Sequence, residues 1–163
     1  MRTLSSIKKR ALILVAVAAI SVGASACFAD TQAGPPIDPF RAQVWSAMNA
    51  DRARNGLPPL TQSPKLEWLA QGQAQYLAEH VGSLVHRDLA WTLYNDPEFA
   101  NYYTLGENLL VGPWYMNAGQ METSWMNSPP HRANILSRNF NVVGIGWFGL
   151  NGRIWVVVNF GAI

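Results

Sequence analysis

The sequence predicts an α+β fold in which helices pack on a small antiparallel sheet that ends in a C-terminal hairpin. Two observations carry this prediction. Apolar residues recur at helical spacing in the segments that follow residue 39. The chain then closes with two β-rich runs, VVGIGWFGL and RIWVVVNF, on either side of Asn151–Gly152. That dipeptide suits a two-residue type I′ turn, which needs positive φ at both central positions. A helical first part and a hairpin last part favour helices layered on one antiparallel sheet.

The leader comes first. Arg2, Lys8, Lys9 and Arg10 form a basic start, Ala11 to Val22 an apolar stretch, and Ala24–Ser25–Ala26 a small-residue cleavage site. Residues 1–29 thus read as an export signal. The apolar stretch is short of the ~20 residues a span needs, and no later segment of the mature chain reaches that length. Cys27 is the only cysteine, so no intrachain disulfide forms. Its place after Ala26 raises lipoprotein processing, with the signal ending at 26 and a lipid anchor at the cell surface. The usual lipoprotein pattern has leucine where this chain has Ala24, which favours soluble release.

Removing the leader changes the charge balance. All ten acidic residues lie from Asp30 onward, whereas four of the twelve basic ones lie in the leader, so the mature chain carries a formal −2. The scattered arginines that remain make no basic footprint for nucleic acid. A mature chain of roughly 135 residues suits one domain with a full core.

Residues 30–39, with their three prolines and Gly34, read as a linker, and residues 40–163 as the domain. Phe40 to Asn55 forms a helix with Phe40, Val44, Ala47 and Met48 on its apolar face and Arg52 and Arg54 largely off it. Gly56 and the prolines at 58 and 59 end it. Ser63 caps a second helix that starts at Pro64, carries Leu66, Leu69, Ala70, Ala74, Leu77, Ala78 and Val81 inward, and stops at Gly82. Ser83 to Leu105, dense in aromatics, reads as short helical turns and loops. Met116 to Asn127 is helical, and Ser128 with Pro129 starts another helix with His131 in its first turn. The positive end of that helix disfavours imidazolium, so His131 tends to be neutral.

Familiar hydrolase and nucleotide signatures are missing: no G-x-S-x-G, no H-E-x-x-H, no phosphate-binding loop and no dinucleotide fingerprint. His86, Glu107 and His131 remain as candidate chemistry. Two imidazoles and a carboxylate suit Zn²⁺ or another divalent ion with an open position. Spacing alone favours the plainer alternative, half-buried histidines bonded to backbone carbonyls.

The segments MNADRARNGLPPLTQSPKLEWLAQGQAQYLA, SLVHRD, GENL, WMNSPPHRANIL and FNVVGIGWF follow one another in an order and spacing that resemble the bacterial, SCP-like branch of the CAP superfamily. That superfamily holds the cysteine-rich secretory, antigen 5 and pathogenesis-related 1 proteins. The resemblance runs from about Asp38 to the C-terminus. It implies an α-β-α sandwich with a central cleft lined by a histidine/glutamate tetrad. His86 and His131 match the two histidines, which bind metal in some members, and Glu107 matches the first glutamate, which orients a ring or a water.

The fourth position departs from the pattern. The second family glutamate lies three residues after a tryptophan like Trp125, and Ser128 stands there. Glu122 lies one turn before Trp125 and cannot simply replace it. The missing disulfides set the chain apart from the eukaryotic branch. The family's asparagine and arginine match Asn49 and Arg52, which read as structural hydrogen-bonding residues. Asn134 reads as a loop tie, and His80 beside Glu79 as a surface histidine.

Three functions follow. The leading one is a secreted binding protein with a cleft at His86, Glu107 and His131 for a divalent metal, zinc above all, or for a small apolar or cell-envelope ligand. The second is a metal-assisted hydrolase with Glu107 as base on a metal-bound water. The third is a lipid or envelope module without metal, using an aromatic groove at Trp91, Tyr94, Tyr102 and Tyr103.

Overall fold

A computed structural model describes residues 38–163. The export signal, Cys27 and residues 30–37 of the linker lie outside the described residues. The last two linker residues belong instead to the first helix. Asp38 is its N-cap, accepting from the N–H groups of Phe40 (2.9 Å) and Arg41 (3.2 Å), and Pro39 is its first residue.

In chain order the elements are α1 (Pro39–Arg54), β1 (Thr61–Gln62), α2 (Pro64–Tyr76) with a π-helical last turn (Leu77–Val81), α3 (Leu89–Asn95), a 3₁₀ turn (Pro97–Phe99), β2 (Thr104–Pro113), α4 (Ala118–Met126), α5 (Pro129–Ile135), β3 (Val142–Leu150) and β4 (Arg153–Ala162). The sheet order is β1-β3-β4-β2. Strands β2, β3 and β4 pair antiparallel, and the short β1 pairs parallel with β3. The sheet is therefore mixed rather than purely antiparallel.

The predicted hairpin forms, with Asn151 at φ 50° and Gly152 at φ 71° between β3 and β4. Strand β2 is the element that the expected loop reading of Ser83–Leu105 and the region after it did not contain. It pairs along its whole length with β4, from Thr104↔Ala162 to Pro113↔Arg153.

Helix α2 covers one face of the sheet and α1, α4 and α5 the other, giving the α-β-α sandwich. On the first face Ala70, Ala74 and Leu77 pack on Leu109, Trp155 and Val157, and Leu66 and Leu69 pack on Phe99 and Val142. On the second face Val44 and Met48 of α1, Met121 and Trp125 of α4 and Ile135 of α5 meet Val143, Ile145, Val156, Val158 and Phe160. The alternation along β3 and β4 that separates these two sets is the period of two expected of a strand buried on both sides.

Two glycines set how closely α2 lies on the sheet. A Cβ on Gly144 would stand 2.0 Å from the Glu67 nitrogen, and one on Gly146 would stand 2.2 Å from the Ala70 carbonyl carbon. Only a bare strand lets the helix backbone come this near.

One expectation about α1 is reversed. Arg52 is fully buried rather than off the apolar face. Its guanidinium donates to the carbonyls of Pro58 (2.9 Å), Ile135 (2.8 Å), Ser137 (2.8 Å) and Phe140 (3.3 Å). Five fixed donors let one arginine satisfy a set of loop carbonyls that have no strand partner. Asn49 has the structural role expected of it, bonding both the N–H (2.8 Å) and the carbonyl (3.1 Å) of Leu60.

Candidate functional site

The site forms around edge strand β2. Glu107 lies opposite Asn159 of β4 and is buried at 5% exposure. Its Oε1 lies 2.8 Å from His86 Nδ1 and accepts the Arg87 backbone N–H at 3.2 Å. With its amide turned to suit its neighbours, Asn159 donates to Oε2 at 3.3 Å and accepts the Ala70 N–H at 3.2 Å. Burial pushes the Glu107 pKa up, and the bonds from His86 and Arg87 oppose that rise.

His86 sits in the loop after the π-helical turn. Gln73 Nε2 holds that loop through the Val85 carbonyl at 2.9 Å. The His86 side chain is 61% exposed while that of Glu107 is 1% exposed. In a neutral ring, a carboxylate accepting at Nδ1 fixes the proton there and leaves the Nε2 lone pair free.

His131 arrives from the other layer, in the first turn of α5. Its own carbonyl accepts from Asn108 Nδ2 at 3.0 Å. Burial foremost, with His86 nearby adding to it, lowers the His131 pKa. The ring is thus disposed to be neutral, as expected, but burial leads the cause rather than the helix start. Ser128 occupies the N-cap position with extended backbone yet makes no side-chain cap bond. Its place is as predicted, and its capping role is not.

Side chains of α4 and α5 also close the free edge of β2. Asn134 Nδ2 donates to the Glu107 carbonyl (3.2 Å) and to Asn108 Oδ1 (2.9 Å), and Trp125 Nε1 donates to the Leu109 carbonyl (3.1 Å). Asn134 is therefore a tie, as expected. Beside His131 runs a groove of about 370 Å³, walled mainly by Leu84, Leu110, Met116, Trp125 and Ser128.

The structure thus brings His86, Glu107 and His131 to one edge of the sheet from three separate elements. The aromatic segment does not join them. None of Trp91, Tyr94, Tyr102 and Tyr103 lines the groove beside His131. Trp91, Tyr94 and Tyr103 are exposed. Tyr102 packs on Phe99 with centroids 5.2 Å apart and places its hydroxyl 2.8 Å from Ser63 Oγ. His80 is a surface residue, its ring tilted against Tyr76 with centroids 5.5 Å apart and its Nε2 3.9 Å from Glu79.

Glu122 faces away from the cleft, toward Asp51 and Arg54 of α1. Ser128 does line the groove, so the fourth cleft position carries a hydroxyl where a carboxylate was expected by resemblance. Sequence reasoning missed Asn108 and Asn159, both fully buried. A lone asparagine inside the apolar run VVVNF was the available signal, because a buried amide must find partners. Among the described residues no group of three or more His, Cys, Asp or Glu side chains could hold a metal. The cleft offers two imidazoles.

Comparisons with known proteins agree with this architecture. The model of the CAP family, described as the cysteine-rich secretory protein family, matches residues 45–160. The uncharacterized protein YkwD of Bacillus subtilis (strain 168) is 30% identical over 131 residues, which is 77% of this chain and 48% of that protein. The chain thus spans about half the length of this curated relative. An extracellular protein containing an SCP domain from Bacillus anthracis superposes with a TM-score of 0.64 at 20% identity, covering 80% of this chain and 45% of that one. An outer surface protein from Borrelia burgdorferi superposes with a TM-score of 0.60 at 20% identity, covering 73% of this chain and 89% of that one. Among the described residues no helix is long and apolar enough to cross a membrane. With the sandwich, the ordered cleft residues and a family match over most of its length, the chain belongs to the CAP family.

Proposed function

We propose that the chain is an exported binding protein whose cleft takes a divalent metal, Zn²⁺ above all, through His86 and His131. The observation that carries this reading is the 2.8 Å contact between His86 Nδ1 and the buried Glu107 carboxylate. It is the arrangement by which a carboxylate fixes the tautomer and direction of a metal-binding imidazole. The lowered pKa of His131 supports it, since only neutral imidazole binds metal. The two imidazoles would supply two positions of a divalent ion and leave the others to water or to a ligand entering the adjoining groove, on which the metal would act as a Lewis acid.

Glu107 acting as a general base finds less support. Both of its oxygens are engaged, and its side chain is 1% exposed. The aromatic groove finds less support as well, because Tyr102 is already bonded within the fold.

The test is calorimetric titration of Zn²⁺ into the mature protein and into the His86→Ala/His131→Ala double variant. The expected result is saturable heat in the first and none in the second. Equal heats in both would remove the cleft from the reading.

A further inference from the structure

On the far side of the second helical layer, Glu122 of α4 is buried at 5% exposure against Asp51 of α1, itself at 9%. Neither Glu122 oxygen reaches solvent, and neither receives a hydrogen bond from any donor among the described residues. The Asp51 carboxylate lies against that of Glu122 across the α1–α4 contact, and Asp51, Arg54 and Glu122 wall one hollow there. Asp51 is in turn ion-paired with Arg54 one turn along α1. Ala47, Ala50, Gly119, Thr123, Met126 and Asn127 complete the surroundings, and none of them titrates.

Two ionised carboxylates are acceptors only and cannot bond one another. A buried carboxylate with no donor carries a desolvation cost that the nearby Arg54 charge offsets only in part. One proton removes both difficulties. Held on Glu122 and donated to Asp51, it satisfies an oxygen of each, and it leaves a single negative charge for Arg54 to balance.

We propose that Glu122 and Asp51 share one proton in the folded protein, and that this carboxyl–carboxylate bond is a pH-sensitive latch holding α4 against α1. The proton leaves to solvent when the latch opens, and two anions then face each other beside one guanidinium. Burial foremost, with Asp51 adding to it, pushes the Glu122 pKa up to about 8. The latch is therefore closed at neutral pH. Its position gives it reach, since α4 also carries Trp125, which seals β2 and walls the groove, and runs on through two residues into the helix of His131.

The sign follows from linkage. A pKa raised from 4.5 to about 8 on folding means that the native state holds more protons than the unfolded one between those values. Stability is then highest at low pH, falls as pH rises through that window, and levels off above it. This group alone would lower the folding equilibrium constant by about tenfold per pH unit inside the window.

The test uses denaturant unfolding of the wild-type protein and of Glu122→Gln from pH 5 to 9.5. A glutamine amide donates to Asp51 at every pH, so the variant has a permanently closed latch. The difference between the two proteins cancels the contributions of the histidines. The expected result is that wild type loses stability relative to E122Q up to about pH 8, and that the rate of α4 amide exchange in wild type relative to E122Q rises from pH 6 to pH 9. Parallel pH curves would overturn the proposal. Should E122Q not fold, the ¹³Cδ resonance of Glu122 in the wild-type protein decides: a midpoint in the ordinary carboxylate range overturns the latch, and one well above it upholds the shared proton.

Discussion

Arg52 shows how one side chain can organise three segments of chain. Its four acceptor carbonyls come from the turn after α1, the end of α5 and the loop before β3. Arg52→Ala would strand these carbonyls, two of them in fully buried bonds, and is expected to cost about 3–5 kcal/mol. Arg52→Lys should recover little of that, because one ammonium cannot span a fork of acceptors. Urea unfolding of the two variants measures both. At the cleft, Glu107→Gln keeps the shape of the carboxylate but removes the charge that fixes the His86 tautomer. Zn²⁺ affinity should fall by about 10–100-fold while the unfolding midpoint moves little. A variant that binds zinc as tightly as wild type would show that Glu107 does not govern the ring.

At the scale of elements, glycine means different things in α2 and in β3. Gly72 lies inside α2 with nothing within 4 Å of an added Cβ. Gly72→Ala should therefore stabilise by about 0.5–1 kcal/mol, the ordinary helix gain. Gly146→Ala places the same methyl 2.2 Å from the α2 backbone and must lift the helix from the sheet. Its expected cost is about 3 kcal/mol or more, or failure to fold. Thermal unfolding of the pair tests whether space, not propensity, sets the sign.

The same contrast explains what the sequence made legible. The Asn151–Gly152 turn and the Ser63–Pro64 helix start are local chemistry and could be read directly. Strand β2 could not, because TLGENLLVGP mixes polar and apolar residues without clean alternation. Its polar members are satisfied by Asn134, Asn159 and His86, all distant in sequence. The burial of Arg52 escaped for a like reason, since its partners are carbonyls up to 88 residues away. His86, Glu107 and His131 were legible as a set only through family order, because nothing local ties residues 21 or more apart.

For the whole molecule, the decisive feature is that the cleft belongs to neither helical layer. His86 follows α2 on one face of the sheet, His131 rides on α5 on the other, and Glu107 stands in the edge strand between them. A metal bound by both histidines would therefore cross-link the two layers. Such a link stabilises the native state by mass action, about 2.7 kcal/mol when free Zn²⁺ is a hundredfold above Kd. For a domain of this size that is a rise of roughly 10 °C in Tm. The single variant His131→Ala keeps the oriented His86 but loses the second layer, so its Tm should stay flat over the same zinc titration. Hydrogen exchange sharpens the argument. Zinc should slow opening in the loop of His86 and in α5 together, because one ion would hold both. Protection of one segment alone would mean that the metal sits on a single layer, and the sandwich would then hold its histidines near each other without joining them.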